Sequence, residues 1–282
     1  RKNLIINGDF QVSQRGDYTT ATTASGSTYY LDRFKTVLGG AFTYTHKISQ
    51  LVDGKYVNTL LQTMTATGYS ATQQFVEDFA KLKGQTVTLS VWVKSNKAGA
   101  SVGIYDGVSQ THSSPHTGGG GWEKLTVSHT CSTSTTLMRT EVWTTTGAVV
   151  GSFIEFTNFQ LELGSVATDF EHRSYGEELA LCQRYFTRSK NFIGMCNNAG
   201  NGVEGYIWFD VEMRTAPSLA QDSPFSINDV ANNYTQSGNN IIIYSPTTRG
   251  AFVTMANFTG LTAFRPCASR GLGGDILADA EL

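Results

Sequence analysis

Four flat rings stand out for where alternation places them: Trp92, Trp122, Trp143 and Tyr105. In Gln85–Lys94, Val87, Leu89, Val91 and Val93 point one way, while Thr88, Ser90, Trp92 and Lys94 point the other. Trp122–His129 repeats the pattern, with Leu125 and Val127 opposite Trp122, Lys124, Thr126 and Ser128. So does Thr136–Thr146, with Met138 and Val142 opposite Leu137, Arg139, Glu141 and Trp143; Tyr105 stands beside Val102 and Ile104. An aromatic ring on a polar strand face, next to charged hydrogen-bonding groups, suits a ligand with apolar C–H faces and a rim of hydroxyls, which is a sugar. Trp143 with Arg139 and Glu141 is the fullest such set. The competing reading makes these rings lids on a core, or surfaces covered by loops or a neighbouring subunit, and one bulge would invert the face.

Other motifs fail on context. Gly99-Ala100-Ser101-Val102-Gly103 satisfies GxSxG, but Ile104 and Tyr105 continue a strand where a nucleophile elbow needs a helix. His112 and His116 flank Pro115 in a Ser/Gly loop, so they cannot share a helix face as HExxH requires. Gly118–Gly121 lacks the Lys-Ser/Thr of a phosphate loop and reads as a flexible turn. Asn233-Tyr234-Thr235 and Asn257-Phe258-Thr259 match the glycosylation sequon, which has no bearing if the protein is made in a bacterium. Cys131, Cys182, Cys196 and Cys267 have neither CxxC nor zinc-ribbon spacing and read as buried thiols, favouring a reducing site of synthesis. The acidic residues are scattered, and no catalytic residue is identified.

The elements that must position these residues are strands. Period-two segments recur about every ten residues through the first 165, with Gly, Asn, Asp and Ser between them, as in a sandwich or barrel. One segment breaks the period. Ser174-Tyr175-Gly176-Glu177 reads as a capping box, and Leu179, Cys182 and Phe186 follow at helical spacing. Glu177 and Glu178 at its start, with Arg184, Arg188 and Lys190 toward its end, suit the helix dipole. The predicted helix runs over 175–189, and β patterning then resumes at Gly205–Met213, Asn240–Tyr244 and Ala251–Phe258. The expected fold class is all-β: a jelly-roll β-sandwich over 1–172, a connecting helix in 173–189, and a smaller C-terminal β domain over 190–282.

The chain has 282 residues, 16% charged and 11% aromatic, too aromatic and too weakly charged for a disordered protein. A net charge of −2 lacks the basic footprint of a nucleic-acid binder. No apolar run reaches the roughly 20 residues of a spanning helix, so no membrane insertion is expected. The N-terminus turns polar after three apolar residues, unlike a signal peptide, and starting without Met it reads as a fragment or processed product. Tyr206, Ile207, Trp208, Phe209, Phe252, Phe258 and Phe264 are many apolar rings and chains for a small domain, which hints at a subunit interface.

Asn3-Leu4-Ile5-Ile6-Asn7-Gly8-Asp9-Phe10, with Gln14-Arg15-Gly16 and Leu31-Asp32-Arg33-Phe34, resembles the opening of the carbohydrate-binding-module-like jelly roll of phage tail proteins. Gly84–Lys94 resembles its central strand, and Phe159–Glu171 its closing strand. Arg173–Phe186 is similar to the segment that follows in tail-fibre and minor tail proteins, and Ala278–Leu282 to their C-termini. The resemblance implies a place on the virion, at the tail tip or fibre, after synthesis in the host cytoplasm. It implies contact with other tail proteins and a homo-oligomer, with a trimer favoured. The partner it implies is a bacterial surface polysaccharide or lipopolysaccharide. It also implies a structural calcium ion (Ca2+) near the first and last strands, for which Asp9 and Glu162 are the nearest carboxylates; Gln11 stands where an acidic residue often follows the Asp-Phe pair. Three functions remain open: receptor binding, pure tail architecture, and a glycan-degrading enzyme or its accessory module.

Overall fold

The computed structural model describes residues 2–144, 147–269 and 273–282, so Arg1 and the last two residues of the expected Thr136–Thr146 segment lie outside the described residues. The chain divides into two compact units, Arg1–Glu178 with Leu282, and Leu179–Glu281. Among the described residues, two sheets are drawn from Thr22–Leu163 and two from Phe186–Asp279, and none spans both.

The first unit is a jelly-roll β-sandwich of two six-stranded antiparallel sheets. One sheet runs in the order Thr22–Thr23, Phe42–Val52, Lys55–Met64, Phe153–Leu163, Thr86–Ser95, Trp122–Thr130. The other runs Thr28–Leu31, Phe34–Leu38, Ser70–Phe75, Arg139–Trp143, Ser101–Tyr105, Gln110–His112. Alternation fixes which side of each strand is dry. Val87, Leu89, Val91 and Val93 from the first sheet and Val102, Ile104 and Val142 from the second are all buried in one core. Phe10, Phe34, Phe156 and Phe159 pack edge-to-face within it. Each such side chain contributes about 1.5–3 kcal/mol through lost apolar exposure.

The N-terminal segment is tied into this sandwich. Asn7, at φ 60°, donates from Nδ2 to Val12 O (2.8 Å) and Asp32 O (3.1 Å), and its Oδ1 accepts from Val12 N. A Cβ on Gly8 would sit 2.3 Å from Phe159 O, so only glycine lets the chain approach the closing strand there. Arg173 then clamps both ends of the unit, donating to Asn3 O and Ile5 O and pairing with Glu178 at 3.2 Å.

The segment after Leu163 crosses the outer face of the first sheet. Thr88 donates to Gly164 O, Ser128 to Ser165 O and Lys124 to Thr168 O. The outer face of the second sheet instead keeps Gln110 and His112 exposed and Lys35, Tyr105, Arg139 and Trp143 half-buried.

The expected helix forms, but it spans only Tyr175–Gln183. Its capping box is made: Ser174 N and Oγ donate to Glu177 Oε2 at 3.2 Å, and Glu177 N reaches Ser174 Oγ at 3.4 Å. Residues 186–189, predicted as its last turn, are a strand. Phe186–Ser189 pairs with Ile276–Asp279, a long-range ladder that outweighs local helical spacing. Arg188 therefore complements no helix dipole; it binds Asp222 and, at 2.6 Å, Asp275.

The second unit packs a three-stranded sheet (Phe186–Ser189, Ile276–Asp279, Ser218–Gln221) and a seven-stranded one around a separate core. The larger sheet runs Asn233–Thr235, Ser226–Asn228, Pro266–Ala268, Phe192–Cys196, Gly202–Trp208, Gly250–Ala256, Ile241–Thr247. Of the apolar residues singled out in the sequence, Ile207, Phe209 and Phe258 are core, whereas Tyr206, Trp208 and Phe264 are exposed. All four cysteines are buried and none is in a disulfide.

Candidate functional site

The strand Arg139–Trp143 lies near the middle of the second jelly-roll sheet, between Ser70–Phe75 and Ser101–Tyr105. Thr140 and Val142 turn inward and are buried, so Arg139, Glu141 and Trp143 project outward. Register brings Tyr105 opposite Arg139, Gly103 opposite Glu141 and Ser101 opposite Trp143. One strand further, His112 faces Gly103 and Gln110 faces Tyr105. Four of the six residues marked in the sequence thus share one face: Trp143, Arg139, Glu141 and Tyr105.

These side chains hold one another in place. The Arg139 guanidinium lies over the Tyr105 ring, 4.9 Å from its centroid, and pairs with Glu141 at 3.2 Å. Glu141 is buried, and its carboxylate also accepts from Gln73 Nε2 (2.9 Å) and from Gln110 Nε2. Trp143 donates from Nε1 to Ser101 Oγ, and its ring meets Tyr69 (6.1 Å) and His112 (5.7 Å, planes 37° apart). Gly103 makes room for this cluster. A Cβ there would lie 2.8 Å from His112 Nδ1 and 3.4 Å from Glu141 Cγ.

Ser101 Oγ also approaches His112 Nδ1 at 3.5 Å, which places a serine, a histidine and a glutamate on one face. The arrangement lacks the relay of a hydrolase. Glu141 is held by Arg139, Gln73 and Gln110, and Ser101 is buried in a strand where its oxygen accepts from Trp143. What the face offers instead is an indole and a phenol ring, an imidazole, and amide and guanidinium donors at sheet spacing.

Trp92 and Trp122 do not join this face. Both project from the first sheet, on the other side of the sandwich, where Lys124 pairs with Trp92 and Lys94 with Trp122. Trp92 sits in a narrow polar pocket with Lys55, Ser90, Lys124, Asn158, Asp169 and Phe170, the last two from the covering segment. The Lys94 ammonium lies 5.9 Å from the Trp122 ring centroid. Membership of different sheets accounts for the split, because period-two alternation gives the side of a strand but not the sheet it joins.

Asp9 and Glu162 are held by separate partners. Glu162 accepts from Gln160 Nε2 and from the Thr168 amide and hydroxyl; burial would raise its carboxyl, but these bonds hold it below the usual range. Asp9 accepts from Gln11 Nε2 at 2.8 Å and lies 3.6 Å from His172; burial pushes its carboxyl up. Calcium needs several converging oxygens; Glu162 faces mainly donors, whereas Asp9 keeps its buried Oδ1 without a hydrogen-bond partner. Among the described residues no group of three or more His, Cys, Asp or Glu side chains could hold a metal ion. Among those residues Asp9 and Glu162 share no hydrogen-bond partner that would bring them to one ion.

The His112/His116 loop is likewise structural at its second histidine. His116 Nδ1 accepts from Gly118 N and Nε2 meets Gly121 O at 3.1 Å, pinning the Gly118–Gly121 turn. Sequence alone missed His112, Gln73 and Gln110 on the candidate face. They come from two other strands, and only cross-strand register brings them to Glu141 and Trp143.

No protein-family model matches the chain, and no curated protein does. Among solved structures the chain is similar to the enzymatically active domain of bacteriophage CBA120 tailspike protein 4, at 14% identity and a TM-score of 0.39, over 57% of this chain and 21% of that one. The chain thus spans about a fifth of the length of that tailspike domain. It is similar to TmCBM61 in complex with β-1,4-galactotriose, at 14% identity and a TM-score of 0.32, over 58% of this chain and 100% of that one. It is also similar to the CBM22-1 xylan-binding domain from Paenibacillus barcinonensis Xyn10C, at 14% identity and a TM-score of 0.35, over 54% and 99%.

Proposed function

We propose that the chain is a non-catalytic glycan-binding protein whose ligand lies on the outer face of the second jelly-roll sheet, against Trp143. The observation that carries this is the constellation itself. A half-exposed indole is fixed by a hydrogen bond to Ser101, with His112, Tyr105 and Arg139 beside it and amide groups of Gln73 and Gln110 around the Glu141 carboxylate. Sugar rings stack their C–H faces on such a ring, and their hydroxyls both donate and accept, which suits a mix of carboxylate, amide and imidazole. Arg139 is paired with Glu141, so its charge is compensated within the face.

The finer reading is a receptor-binding component of a virion tail that engages bacterial surface polysaccharide or lipopolysaccharide. The similarity of the opening, closing and junction segments to phage tail proteins supports it. A panel of immobilised bacterial surface glycans probed with the purified chain tests the proposal. Saturable binding to a subset is expected. Binding to none, at protein concentrations up to about 1 mM, would remove both readings, since weak recognition falls within about the millimolar range.

A further inference from the structure

The outer face of the seven-stranded sheet is apolar where a solvated face would alternate to polar residues. Register sets Ile193, Tyr206, Phe252 and Tyr244 in one row across four adjacent strands. Met195 and Ile242 stand in the next row with Glu204 and Thr254 between them, and Trp208 lies two residues beyond Tyr206 on the same side. Tyr206 is 60% exposed, Ile193 59%, Met195 and Ile242 49%, Tyr244 48% and Trp208 45%.

We propose that this face is the docking surface for a second copy of the chain, sheet against sheet. The ring geometry argues against a sugar here. Tyr206 and Phe252 meet at 5.2 Å with planes 72° apart, and Tyr244 and Phe252 at 6.1 Å and 53°, so these three rings form a ridge of tilted edges. Besides the phenol groups of Tyr206 and Tyr244 and the indole N–H of Trp208, the polar side chains among them are Glu204 and Thr254, fewer than on the jelly-roll face. Ridges of this kind interdigitate with another sheet face at a spacing of about 10 Å.

The area points to a copy of the same chain. The exposed parts of those six side chains amount to roughly 700 Å², beyond the 300–600 Å² or so of a typical monomer's largest patch. A stable interface takes about 800 Å² from each partner, so this face nearly suffices alone. A shallow apolar pocket lined by Ile193, Val230, Pro266 and Ala268 adjoins the ridge. Ridge and socket side by side on one surface are what a self-complementary interface needs. A net charge of −2 leaves little long-range repulsion between copies.

Sedimentation equilibrium of the full chain from about 1 to 100 μM tests this, alongside Tyr206→Asp/Tyr244→Asp and the milder Tyr206→Ser/Tyr244→Ser. The wild type is expected to associate, with both double variants folded by circular dichroism and shifted at least tenfold toward monomer. A wild type that stays monomeric throughout overturns the proposal, as does a folded Ser variant that associates as the wild type does. If the Asp variant fails to fold, the Ser variant alone decides. Loss of glycan capture in the Ser variant with a monomeric wild type would assign the face to glycan and also overturn the proposal.

Discussion

Glu141 and Gly103 set the arrangement of the proposed binding face from beneath its rings. Glu141 holds Arg139, Gln73 and Gln110 in one arrangement, and Gly103 leaves the space in which His112 stands next to Trp143. Gly103→Ala should therefore push the exposed His112 ring off its place, a cheap movement for the fold and a costly one for the site. Glycan affinity is expected to fall by about tenfold, or about 1.4 kcal/mol, with the denaturation midpoint little changed; equal affinity would show that His112 has no part in binding. A different residue governs acid stability. Burial would raise the Asp106 carboxyl, but amides of Ser132, Ser109 and Val108, with His129 at 3.2 Å, hold it well below the usual carboxylate range. A depressed folded pKa means that its stabilisation is complete above the ordinary value of 3.8 and fades as pH drops below it. Asp106→Asn should thus lower stability by about 1–3 kcal/mol at pH 7, with the gap narrowing from pH 5 to pH 2 in urea melts. A gap that is constant over that range would contradict the assignment. At this scale the sequence marked Trp143, Arg139, Glu141 and Tyr105, because alternation alone tells which side of a strand they occupy. It could not mark His112 or Gln73, which meet Trp143 and Glu141 only through cross-strand register.

At the scale of elements, strands with clean alternation were legible, and the exceptions were tertiary. The valines and leucine of Thr86–Ser95 are core as the period requires. Ser174 and Glu177 cap the helix as their spacing requires, so Ser174→Ala should cost about 0.5–2 kcal/mol in chemical denaturation. No measurable loss would mean that the cap is idle. The end of the helix was not legible. Phe186 keeps helical spacing with Cys182 but pairs opposite Asp279, almost a hundred residues later, and no local signal announces that ladder. The same holds for the segment after Leu163, which crosses the first sheet and takes Trp92 into a polar pocket.

At the scale of the molecule, three sheet faces differ in kind: one jelly-roll face covered by its own chain, one bearing rings amid a polar network, and one apolar face in the second unit. The blocks that resemble phage tail proteins pack together: Asn7 binds Asp32 O, Gly8 abuts Phe159, and Arg173 binds Asn3 and Ile5. Their residue types are thus explained by the fold, and the proposed recognition is assigned to the open face. The most direct measurement compares the wild type, Trp143→Ala and Trp92→Ala in parallel on one panel of immobilised bacterial surface polysaccharides, with folding checked by circular dichroism. The account predicts that Trp143→Ala loses about 2 kcal/mol or more of binding, roughly thirtyfold, while Trp92→Ala binds as the wild type does. A folded Trp143→Ala protein with undiminished binding, or loss in Trp92→Ala alone, would contradict it.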